Sequence, residues 1–403
     1  MGSKIRILFI HPSINRPCGP DNSLFELISR LDRNQFDLSL AVPKDSDLVR
    51  KYKNLCSQVF ILPQARQAPP FERVSSLVQY LWSFHKALVH FRTILNKYKF
   101  NLVHANLELC WPAGLAARSL DIPTVTHIRG MTAVKRKRVS GIIAWILQLS
   151  ADRLIAVSTA VADAYVNAGV DPHRILVINN GVDVSRFHPV AQNASFRNRF
   201  GVSVGDPVIA SVGSADPRKG WMNLIKACGV ITRKYPELKC FFIGDLKIGE
   251  SQFLGQSSYT NLLRATVESL NLNRNINFTG ALSDIESIYA GINILVQPSE
   301  SEAGPRAVLE ALSSGVPVVA TDVGGNRSYI QDGINGLLVK PSDELALAQA
   351  ICEILTDKEK QKRMAYNARK VAEDIFSINV HVESVTKLYL SLLKLPKTYG
   401  RID

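Results

Sequence analysis

Short runs of apolar, mostly β-branched residues alternate with longer segments of helical periodicity along the first half of the chain. The helix-length segments are Asp21–Leu31, Ser75–Lys97, Trp111–Ser119 and Thr159–Ala168. The short runs predict strands at Ile5–Ile10, Leu38–Val42, Val59–Leu62, Leu102–Ala105, Thr124–His127, Arg153–Val157 and Ile175–Ile178. This βαβ rhythm predicts a parallel sheet covered by helices on both faces.

The pattern breaks in the polar stretch His188–Gly205 and then restarts, and helical segments finish the chain from Glu344 to Leu395. The second set of predicted strands is Val208–Val212, Cys240–Ile243, Ile276–Phe278, Ile292–Val296, Pro317–Ala320 and Gly336–Val339. We therefore predict an α/β protein with two Rossmann-like, doubly wound domains that face a central cleft. The domains are expected at residues 1–190 and 200–377, with a linker around 188–205. A C-terminal helix at about 378–403 is expected to pack back on the first domain.

Composition agrees with an ordinary globular protein. The 403 residues suit two domains, and 46% hydrophobic with 21% charged residues excludes a disordered chain. The six cysteines form no CxxC pair, so we expect reduced thiols and a cytoplasmic protein without a metal site. The apolar run Ile5–Ile10 is followed at once by His11 and Pro12, which is not typical of a signal peptide.

Charge is distributed unevenly along the chain. The net charge is +13, and residues 1–190 carry 24 Lys and Arg against 13 Asp and Glu, a balance of +11. A basic half indicates an anionic partner, for which a membrane surface, a nucleic acid and a phosphorylated substrate are the candidates. A solvated surface is the alternative interpretation.

The richest chemistry lies in the segment 298–321. Glu302 is predicted in a loop after a strand, a helix is predicted to begin near Pro305 or Arg306, and Glu310 falls on its second turn. A helix N-terminus offers N–H groups and partial positive charge that suit a diphosphate. Glu310 could accept hydrogen bonds from a ribose, and Glu302 could bind sugar hydroxyls. Two carboxylates alone would favour a helix cap and a surface glutamate.

This segment resembles the signature of family 4 glycosyltransferases of the GT-B fold, in which a Glu, seven residues and a second Glu precede a Gly-x-Pro-Val-Val run. Further blocks match in order, and the match covers nearly the whole chain. They are Ala151–Ser158, Asn180–Asp183 with Phe187, Val212–Ser214 with Arg218–Gly220, Asp322–Gly325 and Gly333–Gly336.

The resemblance implies the reaction. A sugar would pass from a nucleoside-diphosphate sugar, bound in the C-terminal domain, to a hydroxyl acceptor bound mainly by the N-terminal domain. The anomeric configuration would be retained, with departure and attack on one face and the leaving phosphate helping to take the acceptor proton. No metal or other cofactor is expected, and the formal Asp45-Ser-Asp47 motif is interpreted as an ordinary polar loop.

The resemblance also implies a set of site residues. His127 and Glu302 would contact the sugar as catalytic residues, and Lys219 and Arg218 lie where the family grips the diphosphate. The chain has Ser214 where the family usually has Arg, so Arg218 or Arg306 takes over that role or phosphate binding is weaker. The residues expected to bind the donor are Gly19, Ser214, Arg218, Lys219, Gly304, Pro305, Arg306 and Glu310.

Several other polar residues end strands of the N-terminal half. Arg129 is a candidate for binding phosphate or an anionic acceptor, because it follows His127 at the end of a strand. His104 and Asn106 end another strand and are expected to support the site without touching the ligand. For His104, a satisfied core histidine is the alternative.

Basic and aromatic residues lie together in two places of the N-terminal half. Lys135–Arg138 leads into an apolar stretch that carries Trp145. Residues 77–99 interleave Lys and Arg with Tyr80, Trp82, Phe84 and Phe91. This pattern suits an anionic membrane surface and a lipid-linked acceptor, as in cell-envelope glycan or polysaccharide biosynthesis at the inner face of the cytoplasmic membrane. The alternative is that these helices bury their apolar sides against the sheet.

Other functions remain open at this point. A sugar-nucleotide epimerase on the same fold would convert the donor without an acceptor. A non-enzymatic two-lobed sugar-binding protein is less well supported because no signal peptide is predicted. A nucleic-acid binder fits the basic surplus, but the chain lacks a pattern of basic and stacking aromatic residues, so no nucleic acid is expected as a partner.

Overall fold

The structure is a computed structural model that describes residues 4–12, 19–62, 74–108, 110–131, 134, 139–190, 194–246 and 259–394. The chain divides into two compact units. Unit 1 comprises Met1–Asn180 and Ile378–Asp403, and unit 2 comprises Gly181–Ser377. The polar stretch 188–205, predicted as a linker, therefore lies within unit 2 and includes a short helix.

Unit 1 contains a parallel sheet whose strand order in the described residues is β3-β2-β1-β4-β5-β6-β7. Its strands are β1 (Ile5–Ile10), β2 (Phe36–Val42), β3 (Gln58–Ile61), β4 (Leu102–Ala105), β5 (Thr124–Ile128), β6 (Arg153–Ala156) and β7 (Ile175–Val177). Its helices are α1 (Gly19–Arg30), α2 (Asp47–Lys53), α3 (Val74–Tyr98), α4 (Trp111–Arg118), α5 (Ser140–Ser150), α6 (Thr159–Val166) and, from the end of the chain, α15 (Ile378–Lys394).

Unit 2 contains a second parallel sheet, with strand order β10-β9-β8-β11-β12-β13 in the described residues. Its strands are β8 (Val208–Val212), β9 (Lys239–Ile243), β10 (Ile276–Gly280), β11 (Ile294–Gln297), β12 (Val318–Thr321) and β13 (Gly336–Val339). Its helices are α7 (Ala194–Arg199), α8 (Trp221–Ile231), α9 (Tyr259–Ser269), α10 (Ile285–Gly291), α11 (Arg306–Ser313), α12 (Asn326–Tyr329), α13 (Glu344–Thr356) and α14 (Lys358–Asp374).

Each sheet is buried on both faces, which explains why its strands are nearly continuous apolar runs. In unit 1 one face packs against α1 and α15, where Leu24, Val385 and Tyr389 meet Ile7 and Phe9. In unit 2 the two faces are covered by separate clusters, one of which contains Trp221. The predicted fold class of two Rossmann-like domains is thus confirmed for the described residues.

Two local predictions need correction. The segment Asp45-Ser-Asp47 is not simply a polar loop, because α2 begins at Asp47 with Ser46 as an extended N-cap. The strand predicted at Ile292–Val296 begins two residues later as β11, since Ile292 is the extended C-cap residue of α10. Pattern alone does not separate the end of a helix from the start of a strand when both are apolar.

Candidate functional site

The two neighbouring strands β8 and β11 form the point in unit 2 where strand order reverses, which is where ligands bind in open α/β sheets. The loops that follow these two strands are in direct backbone contact. Gly220 has φ of +68°, and a Cβ there would lie 1.8 Å from the carbonyl oxygen of Pro298. In the same contact the Glu300 N–H donates to the Arg218 carbonyl oxygen at 2.8 Å. Gly220 is therefore required both for its left-handed backbone and for the close approach.

Glu302 is the centre of a buried polar cluster in these loops. Its Oε1 accepts hydrogen bonds from Lys219 Nζ at 2.6 Å, Gln297 Nε2 at 2.7 Å and Ser299 Oγ at 2.7 Å. Gln297 Nε2 also donates to Ser299 Oγ at 2.9 Å, and both side chains are fully enclosed. Three donors on one oxygen hold the carboxylate in one orientation.

The glycines of the predicted Asp322–Gly325 block support the same loop from β12. Gly324 has φ of +44°, and a Cβ there would lie 1.9 Å from the Glu302 carbonyl oxygen. The Gly325 N–H donates to this oxygen at 2.9 Å. Side chains larger than hydrogen would therefore push the Glu302 loop away from the sheet.

Arg218 and Lys219 end a 3-10 turn, Pro217–Lys219, which Asp216 caps by accepting from the Arg218 N–H. The Arg218 guanidinium also donates hydrogen bonds to both oxygens of the Asp216 carboxylate, and the shortest of them joins Nη2 to Oδ2 at 2.6 Å. These hydrogen bonds hold the pKa of Asp216 below its ordinary value. The Arg218 side chain is 67% exposed, against 29% for Lys219, so the two cations differ in how strongly solvent screens them.

The helix α11 begins at Arg306, with Pro305 as an N-cap that supplies no side-chain hydrogen bond. Glu310, on the second turn, accepts a hydrogen bond from Tyr289 Oη at 2.9 Å and lies 3.6 Å from Arg306 Nη2. Burial and the Glu310 charge raise the pKa of Tyr289, which keeps the phenol a donor. Gly304 is half-buried just before the helix.

The corresponding reversal point in unit 1 lies between β1 and β4. His11 directly follows β1 and is fully buried, and Asn106 directly follows β4. Asn106 Nδ2 contacts His11 Nδ1 at 3.1 Å and donates to the Pro20 carbonyl oxygen at 3.2 Å. The chain around Gly19, which is the exposed first residue of α1, is thereby tied to β4.

Arg129, one residue beyond β5, connects this region to its neighbours. Its Nε donates to Asn106 Oδ1 at 2.9 Å, Nη1 donates to Asn180 Oδ1 at 2.9 Å, and Nη2 lies 3.3 Å from His127 Nδ1. One guanidinium thus joins His127 of β5 to residues that follow β4 and β7.

His127 is fully buried near two other histidines. Its ring stacks on His381 of α15 at 6.0 Å between centroids and lies 5.6 Å from His104. Burial, the charge of Arg129 and the nearby His104 and His381 lower the pKa of His127 well below its ordinary value. Its Nε2 has no hydrogen-bond partner among the described residues.

His104 and Glu108 are also buried in unit 1. His104 Nδ1 contacts Tyr389 Oη of α15 at 2.6 Å, so this ring packs in the core, but it is not the fully satisfied histidine of the alternative interpretation, because its Nε2 has no hydrogen-bond partner among the described residues. Glu108 lies in the loop between β4 and α4, and burial raises the pKa of its carboxyl to about 7. Its Oε2 has no hydrogen-bond partner in the part of the chain that the structure describes.

Comparison with known proteins identifies the architecture that carries these two regions. The model described as "Glycosyltransferase Family 4" matches residues 18–186, and the model described as "Glycosyl transferases group 1" matches residues 192–371, which together are most of the chain. The chain belongs to glycosyltransferase family 4.

Full-length relatives agree with this assignment. The glycosyltransferase is 26% identical over 381 residues to the UDP-Gal:alpha-D-GlcNAc-diphosphoundecaprenol alpha-1,3-galactosyltransferase of Escherichia coli, with 92% of each chain covered. It is 25% identical to the capsular polysaccharide biosynthesis glycosyltransferase CapM of Staphylococcus aureus, over 91% of this chain and 93% of CapM. The crystal structure of HepE from Anabaena in complex with UDP superposes with a TM-score of 0.81 at 22% identity, covering 96% of this chain and all of HepE. The predicted GT-B fold is confirmed.

The structure brings one part of the predicted donor site of this glycosyltransferase together. Lys219 contacts Glu302 directly, and both adjoin the loop that leads through Gly304 and Pro305 to α11. Ser214 lies in the loop after β8. Its carbonyl oxygen accepts a hydrogen bond from the Asp216 N–H at 2.7 Å. The structure does not join Arg218 to this cluster, because its guanidinium is held by Asp216. His127 and Gly19, which are also predicted site residues, belong to unit 1.

Sequence reasoning missed several residues of the glycosyltransferase's two polar regions. Gln297 is the last residue of β11, directly before the recognised segment, and Ser299 lies inside that segment, so a closer look at the strand end could have found both. His11 is likewise the first residue after a strand. His381 and Tyr389 carry no local signal, because only the packing of α15 brings them to β4 and β5.

The structural findings on metals and membranes apply only to the described residues. They contain no group of three or more His, Cys, Asp and Glu side chains arranged to hold a metal ion. No described helix combines the length and apolar character needed to cross a membrane. Lys135–Arg138 lies outside the described residues, as does the side chain of Tyr80. Phe91 is buried, as the alternative expected, whereas Trp82 is 61% and Trp145 is 59% exposed.

Proposed function

We propose that this glycosyltransferase transfers a hexosyl residue from a uridine-diphosphate sugar to a hydroxyl acceptor, with retention of the anomeric configuration. The observation that carries the proposal is the buried Glu302 cluster with Lys219 at the reversal point of unit 2, next to the start of α11. The cation and the helix N-terminus suit a diphosphate, and the oriented carboxylate suits sugar hydroxyls.

The ion pair between Lys219 and Glu302 suggests how the donor engages. A diphosphate that binds at the start of α11 offers Lys219 a stronger anionic partner than one carboxylate oxygen. Lys219 then stabilises the charge that develops on the leaving diphosphate, and Glu302 keeps the hydrogen bonds from Gln297 and Ser299 while it accepts from the sugar. Departure and attack occur on one face, and the leaving phosphate takes the acceptor proton.

The donor proposal includes the absence of a metal requirement. In a GT-B enzyme of this design, protein cations and a helix N-terminus would replace a divalent ion at the diphosphate. Arg306, the first residue of α11, supplies a second positive charge 3.6 Å from Glu310, and Glu310 accepts the ribose hydroxyls.

Nucleotide binding without metal tests the donor proposal. UDP should raise the melting temperature of the metal-free protein in the presence of chelator, and GDP should raise it less. A UDP-induced shift that disappears with chelator contradicts the metal-free site. Turnover is then tested with UDP-glucose and UDP-galactose, because conversion of the donor in the absence of any acceptor would indicate an epimerase.

The acceptor is proposed to be a lipid-linked glycan at the inner face of the cytoplasmic membrane. The E. coli relative is named for a diphosphoundecaprenol acceptor, and CapM for capsular polysaccharide biosynthesis. The balance of +11 in residues 1–190 and the exposed Trp82, whose ring lies 3.5 Å from Lys86 Nζ, support an anionic membrane surface as a partner. Each Lys or Arg near such a surface contributes about 1 kcal/mol.

Sedimentation with liposomes tests the membrane proposal separately from catalysis. The protein should sediment with anionic vesicles at low salt and be released at high salt, because the attraction is screened. Trp82→Ala and Trp145→Ala should weaken sedimentation, with the exposed Tyr366→Ala of unit 2 as the matched aromatic control. No binding at low salt removes the membrane partner and leaves the donor proposal intact.

A further inference from the structure

Among the contacts that the structure describes, Arg129 makes three hydrogen bonds to side chains of unit 1. A guanidinium carries five N–H donors and no acceptor, and it stays charged at all ordinary pH values. Each partner in these three hydrogen bonds must therefore accept. The three accepting atoms are Asn106 Oδ1, Asn180 Oδ1 and His127 Nδ1.

The contact to His127 determines where the imidazole holds its hydrogen. Because Arg129 Nη2 donates, Nδ1 of His127 must carry the lone pair at a distance of 3.3 Å. In a neutral ring the hydrogen then lies on Nε2. This Nε2 is buried and has no hydrogen-bond partner among the described residues, so it is a donor without an acceptor inside unit 1.

Through Asn106, Arg129 also determines which ring nitrogen of His11 carries the hydrogen. Since Arg129 Nε donates to Oδ1, the amide cannot be flipped, and Nδ2 faces Pro20 O and His11 Nδ1. His11 Nδ1 must accept, so its hydrogen also lies on Nε2, 3.7 Å from Asp21 Oδ1. One side chain thus sets the tautomer of two histidines, His11 directly after β1 and His127 within β5.

The surroundings keep both rings uncharged. Burial first and the charge of Arg129 second lower the pKa of His11 to about 4. The groups that face His127 are Arg129 from its own loop, His104 from β4 and His381 from α15. The group that faces His11 in addition to Arg129 is Asp21, whose Oδ1 also accepts from Tyr52 Oη. At His11, burial and the positive charge of Arg129 outweigh the attraction of the Asp21 carboxyl, and at His127 no anionic group is among those that shift its pKa, so a second positive charge is disfavoured at either ring.

We propose that Arg129 is a positioning residue that fixes His127 and His11 as neutral imidazoles with the hydrogen on Nε2. His127 then serves a bound ligand as a hydrogen-bond donor to an oxygen atom and not as a base. The assignment of the tautomers depends only on contacts within unit 1. The role of His127 as a donor to a ligand rests on the proposed function, in which the accepting oxygen belongs to a sugar.

Nitrogen-15 NMR of the histidine-labelled full-length protein tests the tautomers directly, with His127→Gln and His11→Gln used to assign the signals. In the wild type, both rings should show a protonated Nε2 and an unprotonated Nδ1, and neither should titrate between pH 5.5 and 8.5. In Arg129→Met, His127 should become a mixture of tautomers. A wild-type ring with hydrogen on Nδ1 overturns the proposal, and so does an unchanged His127 spectrum in Arg129→Met.

Arg174→Met is the matched control, because Arg174 is a partly buried arginine of unit 1 that donates only to the carbonyl oxygens of Gln148 and Ala151 in the described contacts. It should leave both histidine signals unchanged. If Arg129→Met fails to fold, the wild-type spectrum and its pH titration still decide the tautomers.

Kinetics then separate this proposal from the donor proposal. Arg129→Met should lower kcat by about a hundredfold through loss of alignment while leaving UDP binding by unit 2 unchanged. A fall in UDP affinity with unchanged kcat overturns the positioning role. Failure of every UDP-sugar to react, with the predicted tautomers present, counts against the proposed function only.

Discussion

The reversal points of the two sheets are built from opposite kinds of polar groups. In unit 2, Lys219–Glu302 and Arg218–Asp216 are ion pairs whose cations remain partly exposed. In unit 1, His11 and His127 are buried neutral rings tied to the single guanidinium of Arg129. The difference shows that the reversal point of a parallel sheet can carry either a charged or an uncharged binding surface. The charged version suits a diphosphate, and the uncharged version suits hydroxyl and ring oxygens.

The largest expected effect concerns Lys219. If the cations of unit 2 bind a diphosphate, Lys219→Ala should lower kcat/KM by about a hundredfold or more. The variant loses a preorganised cation next to the negative charge that develops on the leaving diphosphate. Arg218→Ala, a neighbouring cation held by Asp216 and well exposed, should cost about tenfold or less. Steady-state kinetics with a UDP-sugar measure both. Equal losses in the two variants would contradict the distinction between the less exposed Lys219 and the more exposed Arg218.

A smaller effect should separate the two carboxylates of unit 2. Glu310→Ala should weaken UDP binding about tenfold with little change in kcat, because its proposed partner is the ribose. Glu302→Ala and His127→Ala should mainly lower kcat, because their proposed partner is the sugar. Calorimetric titration with UDP and initial rates provide the two readouts. Normal UDP binding by Glu310→Ala would show that the ribose lies elsewhere.

The smallest expected effects are opposite changes of stability with pH. Burial raises the pKa of Glu108 in unit 1 to about 7, so the folded state keeps a proton that the unfolded chain has lost. The stability that this site contributes is complete below the unfolded pKa near 4.5 and falls as pH rises to 7. Glu108→Gln should therefore raise the free energy of unfolding at pH 8 by about 1–3 kcal/mol, measured by urea denaturation.

Asp216 in unit 2 has the opposite sign and serves as the control. Hydrogen bonds from Arg218 lower its pKa, so its contribution is present above the ordinary value of 3.8 and is lost as pH falls through the lowered value. Asp216→Asn should destabilise the protein at pH 8, and this destabilisation should shrink as pH falls below 3.8. The same sign of change in both variants at pH 8 would remove the electrostatic contrast between the units.

The sequence predicts the architecture better than it predicts the polar regions. The β-branched runs of the sheets are local signals, and β1, β4, β8 and β13 begin and end at the predicted residues. Lys219 and Glu302 are recognisable for a similar reason, since each lies in a short segment with its own pattern. Their mutual contact is not visible in either segment, because it depends on the approach of Gly220 to Pro298.

The unit 1 network could not be predicted in the same way. The sequence makes Arg129 a candidate for binding phosphate or an anionic acceptor, but its link to Asn106, Asn180 and His127 depends on the order of strands in the sheet. The C-terminal helix is expected to pack on the first domain, but no periodicity shows which of its side chains meets which strand, so the stacking of His381 on His127 is not predictable. Long-range contacts between single polar side chains leave no pattern along the chain.

The position of α15 has a consequence for how the protein is made. On the ribosome the strands β1 to β7 emerge first, yet the face that Val385, Leu388 and Tyr389 cover stays open until α15 follows. At about 5–20 residues per second, that wait is on the order of tens of seconds. Unit 2 is continuous from Gly181 to Ser377 and can close its core earlier. The first unit therefore cannot complete its core until the whole of unit 2 has been synthesised.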